Sequence, residues 1–402
     1  MRRLYLDRNL QYVFGVTLMA VLGVSSIIPA LPDIMKGLHL DAQRIGLVIS
    51  AFTLPGVLFS PLVGILADRV GRKVLLVPSL FVFSGFGFAC FFAETVQQLL
   101  VLRFFQGVGA APLGVLYSTM IGDLYTGPER GQAMGYNASV LAMGTAGYPA
   151  VGGVLALLGW NYPFLLPLLA VPLGLAILFF MQTPEPQKTG SIKEYFAAAY
   201  RRMKTREAMS LFATTLLTFI ILYGPLITYL PILLSHRFGA SSATIGLVFL
   251  AASGFTGLAS FQLGRLTQRF GQRTLLSAAA VFYGLCMLFT PHAPSLLLTI
   301  PPVICFGLAQ GLNIPTVMTM LTTIAPMEQR GAFMAANGLL LRLAQTVAPM
   351  IMGGLYAMGG MNAVYTGGFA CAVAILLLAR FCIVNIDHNA PQHPAGNIDK
   401  TA

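Results

Sequence analysis

Two arginines stand where a fixed positive charge is expensive. Arg103 and Arg342 each lie in a stretch of chain that is otherwise almost wholly apolar. A guanidinium stays protonated at physiological pH and presents its donors in a planar fork, suited to carboxylates, phosphates or backbone carbonyls. No Asp or Glu lies in the middle of any apolar stretch, and Ala208 to Met327 holds no acidic residue at all. The two cations therefore either meet an anionic ligand or brace neighbouring helices, and both chemistries stay open at this point. Carboxylates able to carry a proton, Asp33, Asp68 and Asp123, fall near the ends of apolar stretches. The five histidines are scattered, and the five cysteines lie in apolar context with no CxxC spacing. No nucleophile stands beside a base and no metal-ligand cluster is visible, so enzyme chemistry and a metal site are set aside and no cofactor is expected.

The elements that must position these residues follow from composition. Of 402 residues, 56% are hydrophobic and 9% charged, and the mean hydropathy is +0.78. Soluble domains carry roughly 25% charged residues, so this chain lacks the polar surface to stay in water. A spanning helix needs about 20 apolar residues. Stretches free of Asp, Glu, Lys and Arg, with breaks near Gly159–Pro163, Pro291–Pro294 and Gly359–Asn362, predict twelve such helices. With the N-terminus inside, 19 Lys and Arg fall on the inner side and three (Lys36, Arg44, Arg237) on the outer. That bias predicts a multi-pass inner-membrane protein with both termini cytoplasmic. The formal charge of +11 then reflects topology and contact with anionic lipid, and no nucleic-acid partner is needed. A signal peptide at the first apolar run is disfavoured by its length and by the eleven runs that follow.

The polar stretch Gln182–Glu207 divides the chain six and six. The expected organisation is a first bundle over 1–181, a linker over 182–207, a second bundle over 208–386 and a tail over 387–402. Within the linker, Ile192–Met203 has the pattern of a short amphipathic surface helix. The halves repeat at an offset near 200. Gly64–Lys73 matches Gly264–Arg273, Arg130-Gly131 matches Arg330-Gly331, Pro149 with Gly152-Gly153 matches Pro349 with Gly353-Gly354, and Leu31-Pro32 matches Leu230-Pro231. Parallel repeats of this kind characterise secondary transporters.

On these motifs the chain resembles the major facilitator superfamily, most closely its twelve-span drug:proton antiporters. The loop Gly64 to Lys73, with Asp68, Arg69, Gly71 and Arg72, is similar to the superfamily signature between spans two and three. The resemblance implies a gating latch in which Asp68 and Arg72 link to Asp123, near Arg130, and steady the outward-open state. Leu99-x3-Arg103-x2-Gln106-Gly107 resembles the fourth-span signature, which ties Arg103 to proton transfer. Leu22-Gly23 with Pro29 and Pro32 resembles the first-span signature, and Gly144, Tyr148, Pro149, Gly152 and Gly153 resemble the fifth-span antiporter signature. Tyr148 departs from that pattern, which usually has Gly there.

The resemblance further implies an all-α fold of two pseudo-symmetric six-helix bundles, working by alternating access as a monomer. Spans 1, 4, 7 and 10 would line a central cavity. Their polar and aromatic residues are Ser25, Ser26, Gln106, Tyr117, Tyr223, Tyr229, Gln310 and Asn313, and Asn337 and Gln345 lie near Arg342 on span eleven. Proton-coupled efflux of a small organic solute or drug is the expected function, with protons and the lipid bilayer as partners and Asp33 and Arg103 as coupling residues. Because the central charges are cations, export of an anionic metabolite, siderophore or lipid is the alternative. A membrane sensor is the rival of another class.

Overall fold

The computed structural model describes residues 4–181, 203–326 and 329–383. The expected tail, most of the linker and the amphipathic segment Ile192–Met203, save its last residue, lie outside the described residues. Every regular element among the described residues is helical. The first half holds α1 (Arg8–Gly37), α2 (Gly46–Val70), α3 (Arg72–Phe92), α4 (Val96–Leu124), α5 (Gly127–Ala156) and α6 (Tyr162–Phe180). The second holds α7 (Arg206–Phe238), α8 (Ser242–Phe270), α9 (Gln272–His292), α10 (Leu297–Ile324), α11 (330–358) and α12 (361–381). The last two form one 52-residue helical run, folded where Gly359 and Gly360 leave helical geometry. Arg206 and Glu207, expected in the linker, already belong to α7.

Local chemistry sets where the helices begin and end. Asp7 caps α1 by accepting from the amides of Asn9 (2.9 Å) and Leu10 (3.3 Å). Thr95 and Gln98 form a reciprocal capping box on α4, and Ser241 caps α8. Between α2 and α3 the chain turns at Gly71 (φ 96°), and between α8 and α9 at Gly271 (φ 76°). A side chain would strain both turns, which explains why the repeat keeps glycine there. Inside α7, Pro225 withholds a donor from the helix ladder, and the turn Leu222–Tyr229 relaxes into π-helical geometry.

The internal repeat extends to individual contacts. Thr17 on α1 donates to Asn137 Oδ1 on α5 (2.6 Å), and Thr215 on α7 donates to Asn337 Oδ1 on α11 (2.7 Å). A Cβ at Gly107 would stand 2.1 Å from the carbonyl of Phe52, and one at Gly307 2.3 Å from that of Ala252. Lys73 donates to the carbonyl of Met181 beyond α6 (2.9 Å), and Arg273 to that of Ala379 on α12 (3.1 Å). In each half, then, a cation satisfies the last carbonyls of a helix.

The halves meet through two helix pairs, α2 with α11 and α5 with α8. Toward the face of the His39 and Gly239 turns these pairs touch. A Cβ at Gly46 would fall 2.6 Å from Pro349, at Gly353 2.4 Å from the Gln43 carbonyl, at Gly153 2.4 Å from the Ser242 carbonyl, and at Gly246 2.5 Å from the Pro149 carbonyl. Ser50 donates to the Thr346 carbonyl (2.6 Å) and Thr346 to Thr53 Oγ1 (2.9 Å). Toward the face of the Gly71 and Gly271 turns no glycine of these helices shows such an approach to the other half. Gly64, Gly131, Gly135, Gly254, Gly257, Gly264 and Gly338 have nothing described within 4 Å of a built Cβ. Lipid offers no hydrophobic drive for helix association, so backbone-to-backbone contact at small residues is what closes one face.

Candidate functional site

The residues singled out by sequence separate into four places. The first is the interior of the first half. Arg103 is fully buried, donating from Nε to the Val48 carbonyl (3.3 Å) and from Nη1 to the Gly23 carbonyl and Gln106 Oε1 (both 2.8 Å). Its guanidinium carbon stands 4.2 Å from the ring centre of Phe52. Carbonyls and an aromatic face thus take the place of a carboxylate. Arg103 Nη2 and Gln106 Nε2 remain as buried donors with no acceptor among the described residues.

A second place lies between the halves. Arg342 reaches from α11 toward α2 and α4, and its guanidinium fills the space left by two missing side chains. A Cβ at Gly56 would stand 2.9 Å from Nη1, and one at Gly114 2.5 Å from Nη2. Tyr117 on α4 and Tyr223 on α7 lie within electrostatic reach, and Gln345 lies beside the Tyr223 hydroxyl. The described residues supply this guanidinium with neither a carboxylate nor a hydrogen-bonded carbonyl. Sequence reasoning singled out Tyr117, Tyr223, Arg342 and Gln345, and the structure brings them together. It missed Gly56 and Gly114, which carry no motif; only the absence of a side chain opposite Arg342 marks them.

The third place is the sealed face. Tyr229 is buried there, stacked on Tyr356 and donating to the Ala42 carbonyl (3.1 Å). Ser26 is buried with its carbonyl against Gly152, where a Cβ would stand 1.8 Å away, while Ser25 is partly exposed. Gly144 packs on Leu18 beside Tyr148, and Pro149 and Gly153 face α8. Asp33 is half-buried beside Lys36 and lies close to Ser242 at the start of α8.

At the face of the Gly71 and Gly271 turns lies the fourth. Arg72 pairs with Asp68 and donates from Nε to Asp123 Oδ2 (2.9 Å), joining α2, α3 and α4. Arg69 is exposed, Gly64 is open, and Arg130 lies over Gly122 next to Asp123. In the second half, the matching positions are Gln268, Gln272 and Thr323, and the described residues form no ion pair there.

Four expected cavity residues, Gln106, Gln310, Asn313 and Asn337, are buried among partners inside their own bundles. Gln106 is held by Arg103; Gln310 accepts from the Tyr283 hydroxyl; Asn313 donates to Thr218 (3.1 Å). Asn337, besides its bond to Thr215, borders a water-sized space of about 10 Å³ with Asn313 and Thr218. These helices turn their amides toward neighbours because a buried amide needs partners. No group of three or more potential metal ligands occurs among the described residues.

A family model described as Major Facilitator Superfamily matches residues 13–239 and 226–398. The chain belongs to this superfamily. It is 28% identical over 380 residues to multidrug resistance protein 1 of Bacillus subtilis, covering 89% of this chain and 92% of that one. A bacillibactin exporter of the same organism is 30% identical over 165 residues, covering 39% of this chain and 41% of its own. Among solved structures, a bacterial homologue of the human lysosomal transporter Spinster, inward-facing and unoccupied, superposes with a TM-score of 0.72 at 18% identity, over 93% of this chain and 96% of that one. The protein is therefore a multi-pass membrane transporter of the major facilitator fold, and not an enzyme.

Proposed function

We propose that this transporter exports small organic solutes by alternating access, driven by inward proton flow. The observation carrying this reading is that the backbone-to-backbone approaches between the halves gather at the face of the His39 and Gly239 turns, and none occurs at the opposite face among the described residues. Rocking the halves about the region of Arg342 would exchange which face is sealed. On the topology expected from the basic residues, that opposite face is cytoplasmic, so the described state would load from inside. The full-length similarity to a multidrug resistance protein supports export of organic solutes.

In this reading Asp68, Arg72 and Asp123, with Arg69, Arg130, Gly64 and Gly71 shaping the loop, form the latch that steadies the opposite, outward-open state. Asp33 is the proton-accepting candidate at the sealed face, and Arg103 orders the helix core that the proton pathway must pass. The protein acts as a monomer in the inner membrane with both termini cytoplasmic. The test uses purified protein in proteoliposomes with an imposed pH gradient and fluorescent dyes of differing charge: cationic ethidium, neutral N-phenyl-1-naphthylamine and anionic 1-naphthoate. Dye accumulation that collapses with the pH gradient at constant membrane potential is expected; accumulation indifferent to the gradient would remove protons from the scheme.

A further inference from the structure

We infer that Arg342, seated between Gly56 and Gly114, is an anion-binding subsite in the cleft, so that carboxylate-bearing solutes are this transporter's preferred cargo. The inference rests on the export reading for the route the solute takes, but not for the site itself. Its first support is the placement of the cation. Arg342 lies midway along α11, yet its guanidinium is wedged against α2 and α4 of the other half. A charge from the second half therefore lies against two helices of the first.

The second support is that two glycines face the guanidinium. A side chain at Gly114 would begin 2.5 Å from Nη2, and one at Gly56 2.9 Å from Nη1, so either would displace the end of Arg342 from where it now lies. Two helices forgo a side chain at the same spot, and a helix-interior glycine costs roughly 1 kcal/mol relative to alanine. Bracing alone does not call for this, because a bracing arginine shows the carbonyl bonds that Arg103 shows.

The third support is what surrounds the head group. Tyr117, Tyr223 and Gln345 are amphipathic or amide groups that can bind the body of an aromatic solute, and none bears a negative charge. An unpaired cation at membrane depth is favourable only when water or an anion completes it. A solute carboxylate would do so through a two-pronged, charge-assisted hydrogen bond, leaving its apolar part to the tyrosine rings. A permanent lipophilic cation would meet repulsion at the same point.

The test measures binding of three acids (salicylate, 1-naphthoate and 2-naphthoxyacetate) and of their neutral amides to the full chain in lipid nanodiscs, alongside tetraphenylphosphonium transport in proteoliposomes. For the wild type, at least one acid should bind tenfold or more tightly than its amide. Arg342→Gln should abolish that preference, and Arg342→Lys should restore only part of it, since an ammonium cannot make the planar contact. Gly114→Ala should also reduce it, by pushing the guanidinium from its seat; this variant keeps the charge and serves if Arg342→Gln folds poorly. The inference is overturned if no acid is preferred by the wild type, or if the preference survives Arg342→Gln. Transport of tetraphenylphosphonium without any acid preference would leave export standing and remove the anion site. An acid preference lost in Arg342→Gln, with no solute transported, would keep the site and remove the export reading.

Discussion

Arg103 and Arg342 pose the same physical problem and meet it in opposite ways. Each puts a guanidinium at membrane depth, without a carboxylate. Arg103 is enclosed by one bundle, which spends two backbone carbonyls, an amide oxygen and a phenyl ring on it. Arg342 lies where the two bundles meet, and what they give it is space. The contrast teaches where to look for function in a chain with no buried acid: not at the most buried charge, but at the one whose coordination is incomplete. The repeat does not separate the two, since Val303 and Ala142 occupy the positions that match Arg103 and Arg342.

The largest expected effect breaks the comparison on its structural side. Arg103→Ala removes a fully buried side chain, strands the donors and acceptors around it and opens a cavity, so a loss of about 3 kcal/mol is expected. Arg342→Ala removes a partly exposed side chain that holds no such bonds, and should cost under about 1 kcal/mol. Thermal unfolding in a fixed detergent reads both. Equal destabilisation would mean that Arg342 braces the fold after all.

Next in size come the close-approach glycines, which compare the halves directly. Gly107→Ala and Gly307→Ala each drive a methyl into a carbonyl of the neighbouring helix, and each should destabilise by about 1–3 kcal/mol. Gly64→Ala and Gly264→Ala meet nothing described and should leave the unfolding temperature unchanged. A large effect of Gly64→Ala on transport with none on stability would assign that glycine to the state with the other face sealed, in which α2 and α11 must close.

Much of this architecture could be read from the residues alone. Bilayer thickness forces span length, lipid forces helices, and the basic residues concentrate in alternate loops, so twelve spans and the repeat are visible in composition and spacing. The ion pairs of Arg72 with Asp68 and Asp123 were legible only through the resemblance of Gly64–Lys73 to the superfamily loop. Which way each helix faces was not. In a soluble helix, polarity marks the outer face, whereas here lipid and core are both apolar and periodicity is silent. Gln106, Gln310 and Asn313 accordingly turned inward to partners, Tyr229 went to the seal, and Gly56 and Gly114 became visible only opposite the Arg342 fork.

The two cytoplasmic-type loops give a prediction about function with little stability attached. In the first half Arg72 bridges Asp68 and Asp123, whereas the positions matching those two carboxylates are Gln268 and Thr323, and Gln272, the counterpart of Arg72, forms no ion pair among the described residues. These ion pairs are partly solvated, and such pairs contribute about 0–1 kcal/mol. Asp68→Asn should therefore leave unfolding nearly unchanged while slowing transport several-fold and favouring the state described here. Gln272→Ala should do neither. Cross-linking yield between cysteine pairs placed on α5 and α8 at the face of the Gly71 and Gly271 turns would report the shift in state. Normal transport by Asp68→Asn would leave the loop as a turn with no gating role.

The smallest expected effect is the most exacting test of the repeat. Thr17 with Asn137 and Thr215 with Asn337 make the same bond, at 2.6 and 2.7 Å, between the same two helices of each half. Hydrogen bonds between membrane helices average about 0.6 kcal/mol in double-mutant cycles, because the unfolded chain in lipid also finds partners. Thr17→Val and Thr215→Val, each combined with the matching Asn→Ala, should give coupling energies of that size that agree between the halves. Asn337 has one difference from Asn137: it borders the small polar space shared with Asn313 and Thr218. If a water sits there, Asn337→Ala loses that partner too and should cost more than Asn137→Ala, while the two couplings to threonine stay equal. Unequal couplings would mean that the halves, alike in backbone and bond length, have diverged in the energetics of this contact. The symmetric reading of the polar core would then fail.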